Sequence, residues 1–308
     1  MTSLLLSGPV TDVGFLFLSL IVQGVPFLLA GAAVSTLVTQ WVPVERILQN
    51  FPRRPWVAAA CGAGVGFLIP TCECAAVPLV RRLLLRGLPA SAALGYLFGS
   101  PALNPLALIS TWIAYQGNSP WLMVALRAVG GFVIAVGVAW GLTARGNWFA
   151  IRGEVALPSG GVSEPATSIP AVPVRSGSGL AQWGLATWND FWVVSIYYTI
   201  GCLLAASLQI GVPFEGMMGG DGVGAIASMM GLAVIMSICS SADAFVANSF
   251  VTVPSAAQLA FLWTGPVLDL KLVWMYRLLL RRRAIAILAV AVILGVGLIS
   301  WLLLPILW

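Results

Sequence analysis

Apolar residues occur along the chain in long stretches that are separated by short polar connections. A helix needs about 20 apolar residues to cross a hydrocarbon core of about 30 Å. Six stretches reach that length, and we predict spanning helices at 13–41, 88–116, 119–143, 190–212, 255–280 and 284–307. The pattern therefore predicts an all-α polytopic membrane protein.

Two further pairs of apolar stretches are too short to span a membrane comfortably, because sixteen helical residues reach only about 24 Å. The pairs are 55–70 with 75–86, and 222–238 with 241–253. The first pair is joined around Cys72-Glu73-Cys74 and the second around Cys239-Ser-Ser-Ala-Asp243. We expect each pair to form a re-entrant helical hairpin with these residues at its tip.

The composition excludes most soluble classes. The chain has 308 residues, of which 60% are apolar and 8% are charged, against about 25% charged in ordinary soluble domains. Soluble enzymes, disordered chains, nucleic-acid-binding modules and disulfide-rich secreted domains do not fit. The chain has no histidine, which removes imidazole metal ligands and His-based nucleophile pairs. No cofactor motif is present, so we expect no cofactor.

The basic residues predict the orientation in a cell (inner or plasma) membrane. The net charge is +5, but nearly all Lys and Arg residues flank apolar stretches, as the positive-inside rule describes. Between residues 176 and 270 there is no Lys or Arg, so we place this region outside and the Lys271–Arg283 connection inside. Each half then has three spans and one hairpin, in opposite orientations. The amino terminus lacks a basic region and a clear cleavage site, so we expect no removable signal peptide.

An internal duplication accompanies this inverted arrangement. When the chain is shifted by 165 residues, 89–105 aligns with 254–270 at six of 17 identical positions, including two prolines. Asn104 then falls on Asp269 and Cys74 on Cys239. We therefore predict two inverted repeats. Their boundaries are 1–143 for repeat 1, 144–189 for a cytoplasmic linker and 190–308 for repeat 2.

Proline interrupts one span in each half at matched positions. The breaks are predicted at Ser100-Pro101 to Asn104-Pro105 and at Gly265-Pro266 to Asp269. A broken helix exposes backbone polar groups, which is tolerated in a membrane only where they face protein or a water-filled cavity. Two matched breaks are typical of a transporter site near the membrane midplane. A proline kink with a hydrogen-bonding Asn is the simpler alternative for either break alone.

Four charged residues fall within or near apolar segments: Glu73, Arg127, Asp243 and Asp269. Ionised side chains at the bilayer centre cost about 2.5–3.5 kcal/mol each by insertion scales, so the acids are expected to face the protein interior. Arg127 is a candidate counter-ion for one of them. For Asp269, an interfacial ion pair with Lys271 is an equal alternative. Acids at this depth also suggest protons as the coupling ion.

Three of the five cysteines lie at the hairpin tips, namely Cys72, Cys74 and Cys239. Thiols are soft ligands, and three of them in a pore would suit a trivalent thiophilic metalloid. Simple packing of small apolar side chains is the alternative, and it is our expectation for Cys61 and Cys202.

These motifs resemble the predicted permeases that include the organoarsenical efflux (ArsP-like) permeases. The matching segments are Pro70-Thr-Cys-Glu-Cys-Ala-Ala-Val-Pro78, Gly99-Ser-Pro-Ala-Leu-Asn-Pro105, Ser237-Ile-Cys-Ser-Ser-Ala-Asp243 and Thr264-Gly-Pro-Val-Leu-Asp-Leu-Lys271. The resemblance implies a multi-pass inner-membrane permease, with some members exporting trivalent arsenicals through cysteines. Ala75 departs from the glycine that many members have after the second Cys.

We therefore expect a secondary transporter, not an enzyme, that exports a thiophilic metalloid or another small solute. The expected substrate-binding residues are Cys72, Glu73, Cys74, Asn104, Cys239, Ser240, Ser241, Asp243 and Asp269. The alternatives are a membrane thiol oxidoreductase that uses the Cys-x-Cys hairpin, a permease for an unrelated solute, and a membrane scaffold. No nucleic-acid partner is expected, and the sequence leaves the oligomeric state open.

Overall fold

The described part of the chain is helical. The computed structural model describes residues 9–41, 52, 54–69, 71–85, 87–117, 119–144, 180–211 and 222–305. Within these ranges there is no β-strand. The first six helices are α1 Pro9–Trp41, α2 Pro55–Leu68, α3 Glu73–Leu85, α4 Ala90–Leu103, α5 Pro105–Ala114 and α6 Pro120–Ala144. The next six are α7 Leu180–Gly211, α8 Val223–Met236, α9 Asp243–Ser249, α10 Ser255–Thr264, α11 Leu270–Met275 and α12 Arg282–Leu303, with a 3-10 turn at Tyr276–Leu278.

Three stretches among the described residues are long and apolar enough to cross a membrane. They are the α4–α5 pair over Ala90–Ala114, α6 and α12. On α12 the outward positions Val290, Leu294 and Leu298 are exposed, while Leu288, Val292 and Val296 are buried. A helix that is apolar on both faces is typical of a lipid-facing span. The lengths and faces are those of a membrane protein.

The two short predicted pairs are each found as two helices joined by a tight connection. In the first pair the described residues between α2 and α3 are 69, 71 and 72, and in the second pair residues 237–242 lie between α8 and α9. The predicted arms extended to residues 86 and 253, and the observed ones end at 85 and 249. We refer to residues 69 and 71–74 as tip 1 and to residues 237–243 as tip 2, so that each tip includes the start of the helix that follows it.

Both predicted helix breaks are present. α4 ends at Leu103 and α5 begins at Pro105. In the second half, turn and irregular residues 265–269 separate α10 from α11. Proline has no backbone N–H and is favoured in the first turn of a helix, which explains why a new helix begins at Pro105.

The order of helices in the first half recurs in the second half. Among the described helices, each half has a long helix, a short pair, a broken pair and a closing helix, as α1 to α6 and again as α7 to α12. α7 begins at residue 180, ten residues earlier than the predicted span, so it includes the end of the predicted linker 144–189. The rest of that linker, 145–179, lies outside the described residues.

The halves pack against each other through their long helices. α1 lies along α7, and α6 contacts both α10 and α12. Each long opening helix also contacts a short one, α1 with α3 and α7 with α11. These contacts run between the halves as well as within them.

α2 and α4 lie in close backbone contact at glycines. A side chain at Gly62 would meet the Ala92 carbonyl oxygen, and one at Gly95 would meet the Ala59 carbonyl oxygen. At Gly66 a Cβ would lie 2.6 Å from Cα of Ser100. Small residues let membrane helices approach this closely. The packing fixes tip 1, at the end of α2, beside the carboxyl-terminal half of α4.

Candidate functional site

The two tips meet at a buried hydrogen bond. Ser240 of tip 2 donates its hydroxyl to Glu73 Oε2 over 3.2 Å. Both residues are 2% exposed. A carboxylate buried in this way requires further partners, because an isolated charge in a low-dielectric interior is strongly unfavourable.

Each tip leads into a helix that begins with an acid. Glu73 is the first residue of α3, and Asp243 is the first residue of α9. The carbonyl oxygen of Cys72 accepts from the backbone N–H groups of residues 75 and 76, and that of Cys239 accepts from residues 242 and 243. An acid at a helix amino terminus is favoured by the helix dipole. In these carbonyl hydrogen bonds Cys72, rather than the sequence-aligned Cys74, resembles Cys239.

Lys271 supplies the second contact of Glu73. Its Nζ donates to Glu73 Oε1 over 3.2 Å and to the Ser237 carbonyl oxygen over 2.9 Å, and it lies 3.4 Å from Asp269 Oδ2. Lys271 is 3% exposed. Lys271 is thus not an exposed topology marker, because its ammonium is buried among oxygen atoms, and the cytoplasmic side of the 271–283 connection stays a prediction. The alternative Asp269–Lys271 pair exists, but it is buried instead of interfacial.

Among the described residues Arg127 of α6 is a second buried cation, with no exposed surface. One guanidinium nitrogen donates to Thr111 over 2.7 Å. The other donates to the Ser240 carbonyl oxygen and to Asp243 Oδ2, each over 2.9 Å. The prediction that Arg127 neutralises one of the buried acids is thus confirmed, with Asp243 as its partner.

The two ion pairs cross between the halves. Arg127 of the first half pairs with the tip 2 acid Asp243, and Lys271 of the second half pairs with the tip 1 acid Glu73. Ser240 joins the pairs, since its carbonyl oxygen binds Arg127 and its hydroxyl binds Glu73. A polar chain therefore runs from α5 through both tips to α11. A movement of either tip would have to break or exchange one of these charged contacts.

The three tip cysteines lie around this chain. Cys74 is buried, whereas Cys72 and Cys239 are half-buried. Cys72 precedes Glu73 and Cys239 precedes Ser240 along the chain, so both adjoin the hydrogen bond that joins the tips. Ser241 Oγ lies 3.6 Å from Cys239 Sγ. Cys202 is buried as expected, but Cys61 is exposed, so our packing interpretation of Cys61 is wrong.

Tip 1 is held against α4 by hydroxyl groups. Thr71 Oγ1 lies 2.7 Å from Ser100 Oγ and 3.0 Å from the Tyr96 hydroxyl. Ser100 also donates to the Thr71 carbonyl oxygen over 3.0 Å, and Tyr96 donates to that of Ile69. These bonds orient the backbone that carries Cys72.

The matched residues Asn104 and Asp269 share one local role. Asn104 Oδ1 accepts from the Leu106 N–H over 3.0 Å, and Asp269 Oδ1 accepts from the Leu272 N–H over 2.6 Å. Each side chain caps the helix that follows its break. Asp269 also faces Lys271, whereas the Asn104 side chain bonds to the first turn of α5. The structure thus brings Asp269 into the charged chain and shows Asn104 as a cap.

The tip cysteines and the acids do not form a three-ligand metal site among the described residues. Within the described ranges, no group of three or more Cys, Asp and Glu side chains has metal-binding geometry. The arrangement offers three paired acids, two cations and two half-buried thiols beside them. Such a site can bind a small polar or thiol-reactive solute and can exchange charged contacts.

Sequence reasoning missed several residues that build the site. Ser237 is one: it is buried and adopts φ 49°, which directs its carbonyl oxygen to Lys271. Thr111, Thr71 and Tyr96 are the others. Their hydroxyl groups carry no pattern by themselves, because only the folded helices show which hydroxyl faces a charge.

Comparisons with known proteins identify the family to which the chain belongs. The model of the ArsP_1 family, described as "Predicted permease", matches residues 11–303. The UPF0718 protein YcgR of Bacillus subtilis is 32% identical over 259 residues, covering 83% of this chain and 84% of that protein. No solved structure gives a significant match.

Two other relatives also match this chain. A protein of Streptococcus mutans named "Putative two-component membrane permease complex subunit" is 31% identical over 261 residues, covering 83% of each chain. The UPF0718 protein YraQ of Escherichia coli is 22% identical over 183 residues, covering 58% of this chain and 47% of that protein. The chain belongs to this family of predicted permeases, and the resemblance drawn from its motifs is confirmed.

Proposed function

We propose that this member of the predicted permease family is a secondary transporter that exports a trivalent thiophilic metalloid of the methylarsenite class across the cell membrane. Family membership and three helices of spanning length and composition support a membrane transporter of a small solute. The metalloid substrate, the outward direction of transport and the multi-pass topology in the inner membrane are parts of this proposal.

The observation that carries the proposal is the meeting of the two tips. Ser240 of tip 2 binds Glu73 of tip 1, and the half-buried Cys72 and Cys239 are each next to one member of this pair along the chain. Thiolates are soft ligands that suit a trivalent metalloid. A thiol loses its proton when it ligates, and a neighbouring carboxylate can accept that proton.

The proposed mechanism alternates access to the tips. Two inverted repeats would let one hairpin open to each side, as in other repeat-built transporters. In this mechanism the cross-half pairs Arg127–Asp243 and Lys271–Glu73 would hold the passage closed in the present conformation, which the two observed ion pairs support. Opening one side would separate one pair while the other holds the halves together.

Replacing the tip cysteines tests the ligand assignment. Cys72→Ser, Cys74→Ser and Cys239→Ser are each expected to abolish resistance to methylarsenite in a sensitive host, because serine lacks the soft sulfur donor. The measurement is growth on arsenite, methylarsenite and antimonite, with everted vesicles used for transport. An imposed pH gradient in the same vesicles tests proton coupling.

Cys61→Ser is the matched control, because Cys61 is an exposed cysteine on α2, and it should keep full resistance. Full resistance in all three tip variants would contradict the hypothesis that the thiols bind the metalloid. Transport of unrelated solutes without any metalloid resistance would leave a permease of another specificity.

A further inference from the structure

The buried charges of the candidate site do not balance. Three carboxylates, Glu73, Asp243 and Asp269, face two cations, Arg127 and Lys271. All five residues are at most 3% exposed. With every group ionised the cluster has a formal charge of −1, and an uncompensated charge at this depth is costly. If the Lys271 ammonium left, the formal charge would be −2, so another cation would be strongly favoured in its place.

The two cations are held with different strength. Arg127 makes three bonds of 2.7–2.9 Å, which is the usual range for charge-assisted hydrogen bonds. Lys271 lies 3.2 Å from Glu73 and 3.4 Å from Asp269, and only its bond to the Ser237 carbonyl oxygen is as short as 2.9 Å. The Arg127 pair is therefore a fixed contact and the Lys271 pair a loose one.

Three oxygen atoms from separate elements converge on the Lys271 ammonium. They are Glu73 Oε1 from α3, Asp269 Oδ2 from the second break and the Ser237 carbonyl oxygen from tip 2. Asp269 Oδ2 is buried and has no hydrogen-bond partner. Carboxylate and carbonyl oxygens are the donors that hard cations prefer.

Only the side chain of Lys271 is free to leave this position. Its backbone lies against α7, where a Cβ at Gly201 would come within 2.7 Å of the Lys271 Cα. Lysine is a compact charge on a flexible four-carbon stem, whereas arginine is a planar fork suited to fixed bidentate contacts. The residue type and the packing both fit a side chain whose ammonium moves while the Lys271 backbone remains in place.

We propose that Glu73, Asp269 and the Ser237 carbonyl oxygen form a site for a monovalent cation of the alkali-metal or ammonium class, with the Lys271 ammonium as its tethered occupant in this conformation. When the ammonium withdraws, a mobile cation takes the same oxygens, and the charge at those oxygens is unchanged. The coupling of this exchange to transport rests on the proposed function; the binding of the cation does not.

Removing the tethered occupant tests the site. Purified full-length Lys271→Ala in detergent, at one fixed pH, is titrated with sodium, potassium or methylammonium chloride while its thermal unfolding is followed. At least one of these cations should raise its Tm by a few degrees in a saturable way, because a ligand that binds only the folded state stabilises it by mass action. Choline chloride at equal ionic strength should not, and the wild type should not respond.

Two further variants sharpen the result. Arg277→Ala removes an exposed cation that lies over the Trp274 ring on the same segment and should behave as the wild type. Asp269→Asn/Lys271→Ala removes one ligand and should lose the response. A Lys271→Ala protein that can be recovered only with methylammonium present would also support the site.

Three outcomes would overturn the proposal. They are a Lys271→Ala Tm that ignores all three cations, a wild type that responds equally, and a Lys271→Ala protein that aggregates in every salt while Arg277→Ala stays monodisperse. Because no metalloid is used, a failure here is distinct from a failure of arsenical export.

Discussion

The ion pair between Arg127 and Asp243 shows how single residues hold the two halves together. The guanidinium binds a side chain of α5, the backbone of tip 2 and the first residue of α9. Asp243 Oδ1 has no further hydrogen-bond partner in the described structure. The stability of this region therefore depends on keeping both charges present.

Arg127→Ala is expected to lower the free energy of unfolding by about 3–5 kcal/mol, because it leaves Asp243 as an unpaired buried charge. Arg127→Ala/Asp243→Ala should recover part of this loss, since both charges are then gone. The measurement is a double-mutant cycle on thermal unfolding in detergent. Arg282→Ala, at an exposed cation, should change little, and additive effects of the two single variants would contradict the pairing.

At the scale of elements, the contact between α2 and α4 decides where tip 1 lies. Gly62 and Gly66 are four residues apart on α2, and Gly95 and Gly99 are four apart on α4. This small-xxx-small spacing on both helices favours a close crossing. It was available in the sequence as a packing signal.

Gly62→Leu and Gly66→Val are expected to destabilise the protein by more than the usual 1–3 kcal/mol of overpacking. The reason is that a Cβ at either position meets backbone atoms of α4, which cannot move aside as a flexible side chain would. Gly64→Ala is the matched control on the same helix, because a Cβ there meets nothing within 4 Å. Thermal unfolding of the three variants checks this, and equal Tm values would contradict it.

At the scale of the whole molecule, the helix order of α1 to α6 recurs in α7 to α12. The cross-half ion pairs then join tip 1 to the second half and tip 2 to the first. We propose that the two copies are inverted in the membrane, as the distribution of Lys and Arg predicts. In that arrangement the hairpins α2–α3 and α8–α9 enter from opposite sides.

Cysteine labelling tests the inversion. In a variant without native cysteines, single cysteines are placed at Trp56 and Val223, which are exposed positions at the starts of α2 and α8. A membrane-impermeant maleimide should label residue 56 only from the cytoplasmic side and residue 223 only from the outside. Labelling of both from the same side would refute the inverted topology and the alternating mechanism with it.

The sequence by itself determined the helical class, the two short pairs and the two helix breaks. These features follow from local causes. Apolar length, proline and the residues next to it act within a few positions along the chain, as at Asn104-Pro105. The motifs also predicted the permease family, which the comparisons confirmed.

Only the tertiary structure decided which charges pair. Lys271 is followed along the chain by other basic residues, so the sequence favoured its interpretation as a topology marker. The packing of α11 against α7 and α3 places its ammonium between Glu73 and Asp269. Likewise, Arg127 could have neutralised any of three acids. Its choice of Asp243 depends on tip 2 lying beside α6, and an ion pair between residues 116 positions apart is fixed by how the helices pack and not by the sequence around either one.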